Sequence, residues 1–229
     1  VNLMLRNKIC VVTGASSNIG RSVAIELSKT AQHIYLIGRN VNALEETSDL
    51  ISINSCEVTI VPLDLTKFDL IDELGHSIYK KHQRIDVFVS CAGMIRHLSP
   101  VTSIKPKDFE EIINLNLISN YRLLRSFHPL FLASSKPRAL IISKNINHSG
   151  SQYWGAYNST MLALNNLIKT YANENKQTSL KINLFEPPLL ESNFINTTSP
   201  GEDKKNLVEL NKVVTRIISY LDENIIETG

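Results

Sequence analysis

Apolar runs of strand length recur along the chain at 8-KICVVT-13, 33-HIYLIG-38, 57-EVTIVP-62, 85-IDVFVS-90, 138-RALIIS-143 and 180-LKINLF-185. Between them lie stretches with apolar residues at helical spacing, among them 19-IGRSVAIELSKT-30, 106-PKDFEEIINLNLISNYRLLRSFHPLFLA-133, 155-GAYNSTMLALNNLIKTYANE-174 and 206-NLVELNKVVTRIISYL-221. Strands alternating with helices predict an α/β fold, a parallel sheet covered by helices on both faces. In an open doubly wound sheet of this kind, ligands bind at the carboxyl ends of the strands, near the reversal of strand order. Function is therefore expected in the loops that follow the strands.

Composition narrows the possibilities. With 229 residues, 43% of them hydrophobic, and no Gly/Ser/Pro-rich linker, the chain is expected to form one domain over 1–229. Lys and Arg number 24 against 22 Asp and Glu, so no dense basic run suggests nucleic acid as a partner. Cys10, Cys56 and Cys91 are an odd set without CxxC spacing, and they read as free thiols in a reducing compartment. The opening 1-VNLMLRNKICVVTG-14 is too soon interrupted by Arg6 and Lys8 for a signal peptide or membrane span, so a cytoplasmic protein is expected. No metal site is expected.

Directly after the first strand, 13-TGASSNIGRSVA-24 is a glycine-containing turn that opens a helix. Unpaired N–H groups and the positive end of the dipole make such a terminus a phosphate site. The loop, with Thr13, Gly14 and Gly20, resembles the TGxxxGxG of the short-chain dehydrogenase/reductase family, with Asn18 in place of the middle glycine. Asparagine tolerates positive φ, so the turn is expected to survive while the side chain crowds the phosphate.

Further motifs extend the resemblance over nearly the whole chain and imply a Rossmann-type, doubly wound sheet in three layers. Thr13, Gly14, Ser16, Ser17, Asn18, Ile19 and Gly20 would form the phosphate loop. Arg39 in 38-GRN-40 suits a ribose 2′-phosphate where a carboxylate would suit a 2′-OH, so NADP(H) is favoured over NAD(H). Asp64 and Leu65 correspond to the adenine-contacting region, and Ala92 and Gly93 of 90-SCAG-93 to the end of the family's NNAG. Cys91 reads as a packed thiol rather than a nucleophile.

The resemblance also implies a catalytic set of tyrosine, lysine, serine and asparagine. Tyr157 in WGAY, a context similar to a bacterial oxidoreductase branch, would be the general acid, with Asn116 in support. The lysine four residues on is Met161, and the serine position is Lys144, with Ser143 one residue early. A slip by one residue at a strand end turns a side chain to the opposite face. Without a cation a tyrosine titrates near ~10, whereas a cation within ~4–6 Å shifts a pKa by ~1–3 units. Lys144 reaching toward Tyr157 is one way to restore that charge.

After the sixth strand, 187-PPLLES-192 keeps Pro187 and the hydroxyl of Ser192 from the family's PGxxxT, but Pro188 replaces the glycine. The polar segment 187–205 would form a mobile loop serving as a substrate lid. The sequence ends at 225-IIETG-229, where relatives continue into a seventh strand, so a truncated chain or a sheet without that strand is expected. A homodimer through 106–133 and 153–174 follows from the same comparison. Two functions remain open: an NADP(H)-dependent oxidoreductase acting on a small carbonyl or alcohol with an impaired or altered site, or a non-catalytic nucleotide- or protein-binding member.

Overall fold

The computed structural model describes residues 7–144, 150–199 and 201–229. The opening six residues and Pro200 of the expected lid therefore lie outside the described residues. Six strands form one sheet: β1 Ile9–Thr13, β2 His33–Gly38, β3 Glu57–Pro62, β4 Val87–Ser90, β5 Arg138–Ile142 and β6 Lys181–Phe185. Every pairing is parallel and the order is β3-β2-β1-β4-β5-β6. The order reverses between β1 and β4, which places the expected crevice beyond Thr13 and Ser90.

Because successive strand residues face opposite sides, each strand feeds two cores. Ile9 and Val11, Tyr35 and Ile37, Phe88, Ala139 and Ile141 pack with α3 (Phe68–His82), α5 (Ser119–Leu132) and α6 (Gly155–Glu174). Cys10 and Val12, Ile34 and Leu36, Val87 and Val89 pack with α1 (Asn18–Ser28), α2 (Val41–Ile51) and α8 (Leu210–Tyr220). The three-layer α/β architecture expected from the pattern is the one observed.

The differences lie in the helices. The expected continuous helix over 106–133 is α4 Pro106–Ile113, a π-helical turn Asn114–Ile118, and α5. Asn116 sits in that turn with its side chain bonded to the backbone of Met94, and a π-bulge provides the extra residue such a detour requires. The segment 187–205 is not all loop, because α7 Asn193–Thr198 and a 3-10 turn starting at Lys204 lie in it. Ser192 forms the N-cap of α7 through the N–H of Ile195, which ends the loop early. The last helix starts at Leu210 rather than 206, after Val208 donates its N–H to Leu189 O at 2.8 Å.

The final residues lie along the free edge of β6. Thr228 Oγ1 accepts from Ile182 N at 3.1 Å, and Gly229 N donates to Ile182 O at 2.8 Å. Arg138, at the start of β5, anchors the preceding turn by donating to Asp222 O (3.1 Å), Glu223 O (2.7 Å) and Ile225 O (3.0 Å). Among the described residues no helix is long and apolar enough to cross a membrane.

Since these carbonyls lose their donor together, Arg138→Met is expected to lower unfolding stability by ~2–4 kcal/mol, given ~1–3 kcal/mol for an unsatisfied buried group. Urea denaturation checks this, and an unchanged midpoint would refute it.

Candidate active site

The crevice begins at the turn after β1. Gly14 has φ +65°, and a Cβ there would lie 2.9 Å from Cys91 O and Ala92 N, so only glycine lets the loops after β1 and β4 approach this closely. A Cβ on Gly20 would lie 2.2 Å from Gly14 O, which makes α1 start directly against the turn. Ser17 donates its N–H (2.9 Å) and its hydroxyl (2.7 Å) to that same carbonyl.

Asn18 corrects the sequence expectation. It is the first residue of α1 and is absent from the described residues with positive φ, so its side chain rather than its φ tolerance matters. Asn18 Nδ2 donates to Glu191 O at 3.1 Å and ties the phosphate loop to the segment after β6.

Behind the lining, buried polar side chains form one connected network. Ser90 donates its single hydroxyl proton to Asn120 Oδ1 at 2.7 Å. Thr13 Oγ1, 3.2 Å from Ser90 Oγ, must then donate to Ser90 while accepting from Ala92 N at 3.2 Å. Asn120 Nδ2 donates to Asn116 O at 2.9 Å. Asn116 in turn donates Nδ2 to Met94 O (2.9 Å) and accepts Met94 N (2.8 Å). The side chain of Asn116 is therefore a brace for the strand-end loop, with a long contact of 3.4 Å to Thr160 Oγ1 on α6.

Tyr157 and Met161 share one face of α6, as the four-residue spacing requires, and both line the crevice. Met161 is 4% exposed and belongs to the core with Leu164 and Ile168. Tyr157 packs against Trp154 (ring centres 6.0 Å apart) and Phe194 (5.4 Å). Burial pushes its phenol well above the ordinary ~10, because the phenolate would lose its hydration. Ser143 also lines the crevice and donates its hydroxyl to Asn165 Oδ1, two turns along α6 from Tyr157. Lys144 extends its ammonium over the rings of Trp154, at 4.0 Å, and Phe194, at 4.5 Å.

The crevice has a volume of about 590 Å³. The structure brings Ser16, Ser17, Asn18, Ile19, Arg39, Ala92, Gly93, Asn116, Lys144, Tyr157, Met161 and Ser192 together along it. Thr13, Gly14 and Gly20 shape its wall from behind. Asp64 and Leu65 are outside the lining; hydrogen bonds from Thr66 N (3.0 Å) and Thr66 Oγ1 (2.8 Å) occupy Asp64. Burial alone would raise the carboxyl of Asp64, but those bonds and the charge of Arg39 outweigh it and hold the group below its usual range.

Cys91 also lines the crevice, and burial pushes its thiol up to about 12, which makes it inert as a nucleophile. Among the described residues no group of three His, Cys, Asp or Glu could hold a metal. Sequence reading missed Phe194, whose aromatic ring on α7 closes over Lys144 and Tyr157. Its only signal was an apolar residue in a polar segment. On the other side of Tyr157 lies a second cavity of about 390 Å³, bordered by Arg96, His97, Lys105 and Tyr153.

The site fits a nicotinamide dinucleotide. The backbone at Ser17–Ile19 opens a helix beside the crevice, a Cβ on Gly93 would meet only Asn116 Oδ1 at 3.5 Å, and no carboxylate lines the crevice among the described residues. A pyrophosphate at the start of α1 would meet the side chain of Asn18, which is bonded to Glu191 O.

Comparison with known proteins agrees with this geometry. The family model described as short chain dehydrogenase matches residues 8–203. The oxidoreductase YciK of Escherichia coli K12 is 24% identical over 89% of this chain and 82% of its own. A short chain dehydrogenase from Salmonella enterica serovar Typhi CT18 superposes with a TM-score of 0.91 at 23% identity, covering 99% of this chain and 95% of that one. One from Escherichia coli CFT073, complexed with NADPH, superposes with a TM-score of 0.90 at 24% identity, covering 100% and 97%.

Met161→Lys is expected to lower the pKa of Tyr157 by ~1–3 units, the effect of a cation within reach of a phenol. Ultraviolet titration of tyrosinate, with Tyr157→Phe subtracted, checks this; an unmoved titration would show that position 161 does not tune the ring.

Proposed function

This chain belongs to the short-chain dehydrogenase family, and we propose that it binds NADP(H) and transfers hydride between the cofactor and a small carbonyl or alcohol through an altered catalytic site. The observation that carries this reading is the crevice itself. Tyr157, Lys144 and Asn116 meet a phosphate-type loop in one cleft that is lined also by Arg39 and, among the described residues, by no carboxylate.

Each part of the dinucleotide has a place. Ser16, Ser17, Asn18 and Ile19 would receive the pyrophosphate at the start of α1, shaped by Thr13, Gly14 and Gly20. Arg39, exposed at the carboxyl end of β2, would take the 2′-phosphate, with Asp64 and Leu65 beyond it toward the adenine. Ala92, Gly93 and Ser192 would flank the nicotinamide half, which when bound supplies or accepts the hydride. The NADPH complex of the Escherichia coli neighbour supports the choice of cofactor.

A non-catalytic role is the second reading, favoured by one specific feature. The position four residues after Tyr157 holds a core methionine, and burial raises the pKa of the phenol beside it, so that it stays protonated. In either case we propose one domain, with 187–205 as its lid. A homodimer through α4, α5 and α6 is supported by exposed Phe109, Tyr121 and Leu162 on those helices. The free Cys10, Cys56 and Cys91 support a reducing, cytoplasmic setting.

Titration with NADPH, followed by fluorescence, is expected to saturate. Arg39→Ala should weaken NADPH binding about tenfold, with NADH nearly unaffected, as expected for the loss of ~1.5–3 kcal/mol of charged hydrogen bonding. Equal losses for both nucleotides would refute the NADP(H) assignment. Carbonyl reduction by the unmodified protein supports the first reading. Reduction that appears only in Met161→Lys combined with Lys144→Ser decides for the second.

A further inference from the structure

Two residues at the catalytic end of the crevice carry protons, and their surroundings act on them in opposite directions. An ordinary lysine titrates near ~10.4 and an ordinary tyrosine near ~10, so in water neither is clearly the better acid. Burial penalises whichever form is charged. For lysine that is the protonated form, for tyrosine the deprotonated one. The ammonium of Lys144 is accordingly lowered below its usual value, while the phenol of Tyr157 is raised. The lysine has become the stronger acid of the pair.

Geometry puts that acid in position. Lys144 lies two residues beyond β5, where the parallel strands open on the crevice, and it lines the cleft beside Tyr157 and Asn116. Its Nζ rests over the faces of Trp154 and Phe194, whose own centres are 6.0 Å apart and which both contact the ring of Tyr157. Ring faces attract a cation through the quadrupole without consuming its directional N–H bonds as a carboxylate does. Among the described residues no carboxylate pairs with Lys144, and none lines the crevice. Among the described residues, the other titratable or charged groups in the lining are Tyr157 on α6, Cys91 after β4, and Arg39 after the carboxyl end of β2; Glu186 and Glu191, which flank the proline pair, are not in it. An ammonium held in this way, with no hydrogen-bond partner among the described residues, is what a carbonyl oxygen needs as negative charge develops on it.

We infer that Lys144 is the proton donor for carbonyl reduction in this crevice, binding the carbonyl oxygen and displacing Tyr157 from the acid's role. This inference rests on the hydride-transfer reading above. A reduced nicotinamide, when bound, would supply the hydride that reduces the carbonyl carbon and would itself be left oxidised. The electron pair of the C=O bond moves to oxygen, and that oxygen takes a proton from Lys144 Nζ. One N–H bond breaks and one O–H bond forms. Lys144 is left as a neutral amine, which solvent reprotonates before the next turnover. In the reverse direction the neutral amine accepts the alcohol's proton.

The test compares Lys144→Met and Tyr157→Phe with the unmodified protein, using NADPH oxidation over a panel of aldehydes and ketones across pH. NADPH titration of each variant serves as the control for folding. In parallel, without nucleotide, amine-directed acylation of the unmodified protein is followed by mass spectrometry to read the pH at which Lys144 becomes a free amine. Lys144→Met is expected to lose at least about a hundredfold in kcat, the contribution of a general acid, while Tyr157→Phe loses less than about tenfold. Reduction by the unmodified protein should fall as pH rises through the labelling midpoint of Lys144. A larger loss in Tyr157→Phe than in Lys144→Met overturns the assignment and leaves the hydride-transfer reading intact. So does a kinetic midpoint more than about one unit from the labelling midpoint, on the scale of perturbed side-chain values. Bound NADPH with no turnover by the unmodified protein overturns both.

Discussion

Buried hydrogen bonds among Thr13, Ser90, Asn120, Asn116 and Met94 hold together the place where the strand order reverses. Each member lies at an element that must meet the others: the ends of β1 and β4, the loop after β4, the π-turn and the first residues of α5. Buried donors and acceptors are costly when unmatched, so the network allows little sliding among these elements. The crevice is the space left above it. Gly14 depends on the same arrangement, since the closeness of Cys91 and Ala92 that excludes a Cβ there is set by the network beneath.

Electrostatics in the crevice follow from what surrounds it. A cleft lined by Arg39 and Lys144 and, among the described residues, by no carboxylate favours a polyanion over a cation. Beside Tyr157, the cation that lines the crevice stands after β5 and not on α6. Met161 contributes packing where the family places a cation, and Lys144 contributes a cation where the family places a hydroxyl. The aromatic rings of Trp154 and Phe194 make this tolerable, because an ammonium that is partly out of water needs some compensating field. Phe194 enters only because Ser192 caps a short helix in the segment after β6. A local capping preference thus shapes the environment of a lysine some fifty positions earlier.

The sequence alone determined the six strands, the three layers and the phosphate loop, and it marked Tyr157, Met161, Asn116 and Lys144 as residues of one site. These were legible because they depend on local periodicity and on spacing within one element. Period two fixes which strand residues face each core, and four residues on a helix bring Tyr157 and Met161 to one face. The helix over 155–174 was readable to the residue for the same reason.

Only the tertiary structure decided where the polar side chains turn. Asn18 reaches Glu191, Ser143 reaches Asn165, Asn116 reaches Met94 and Lys144 reaches Trp154 and Phe194. The first of these partners is 173 positions away and the others between 10 and 50, each on a different element. No pattern along the chain encodes such contacts, because a polar side chain satisfies its hydrogen bonds with whatever the folded chain brings beside it. The fold was therefore written in periodicity, while the surroundings of Lys144 and Tyr157 were set by the aromatic rings that folding brings beside them.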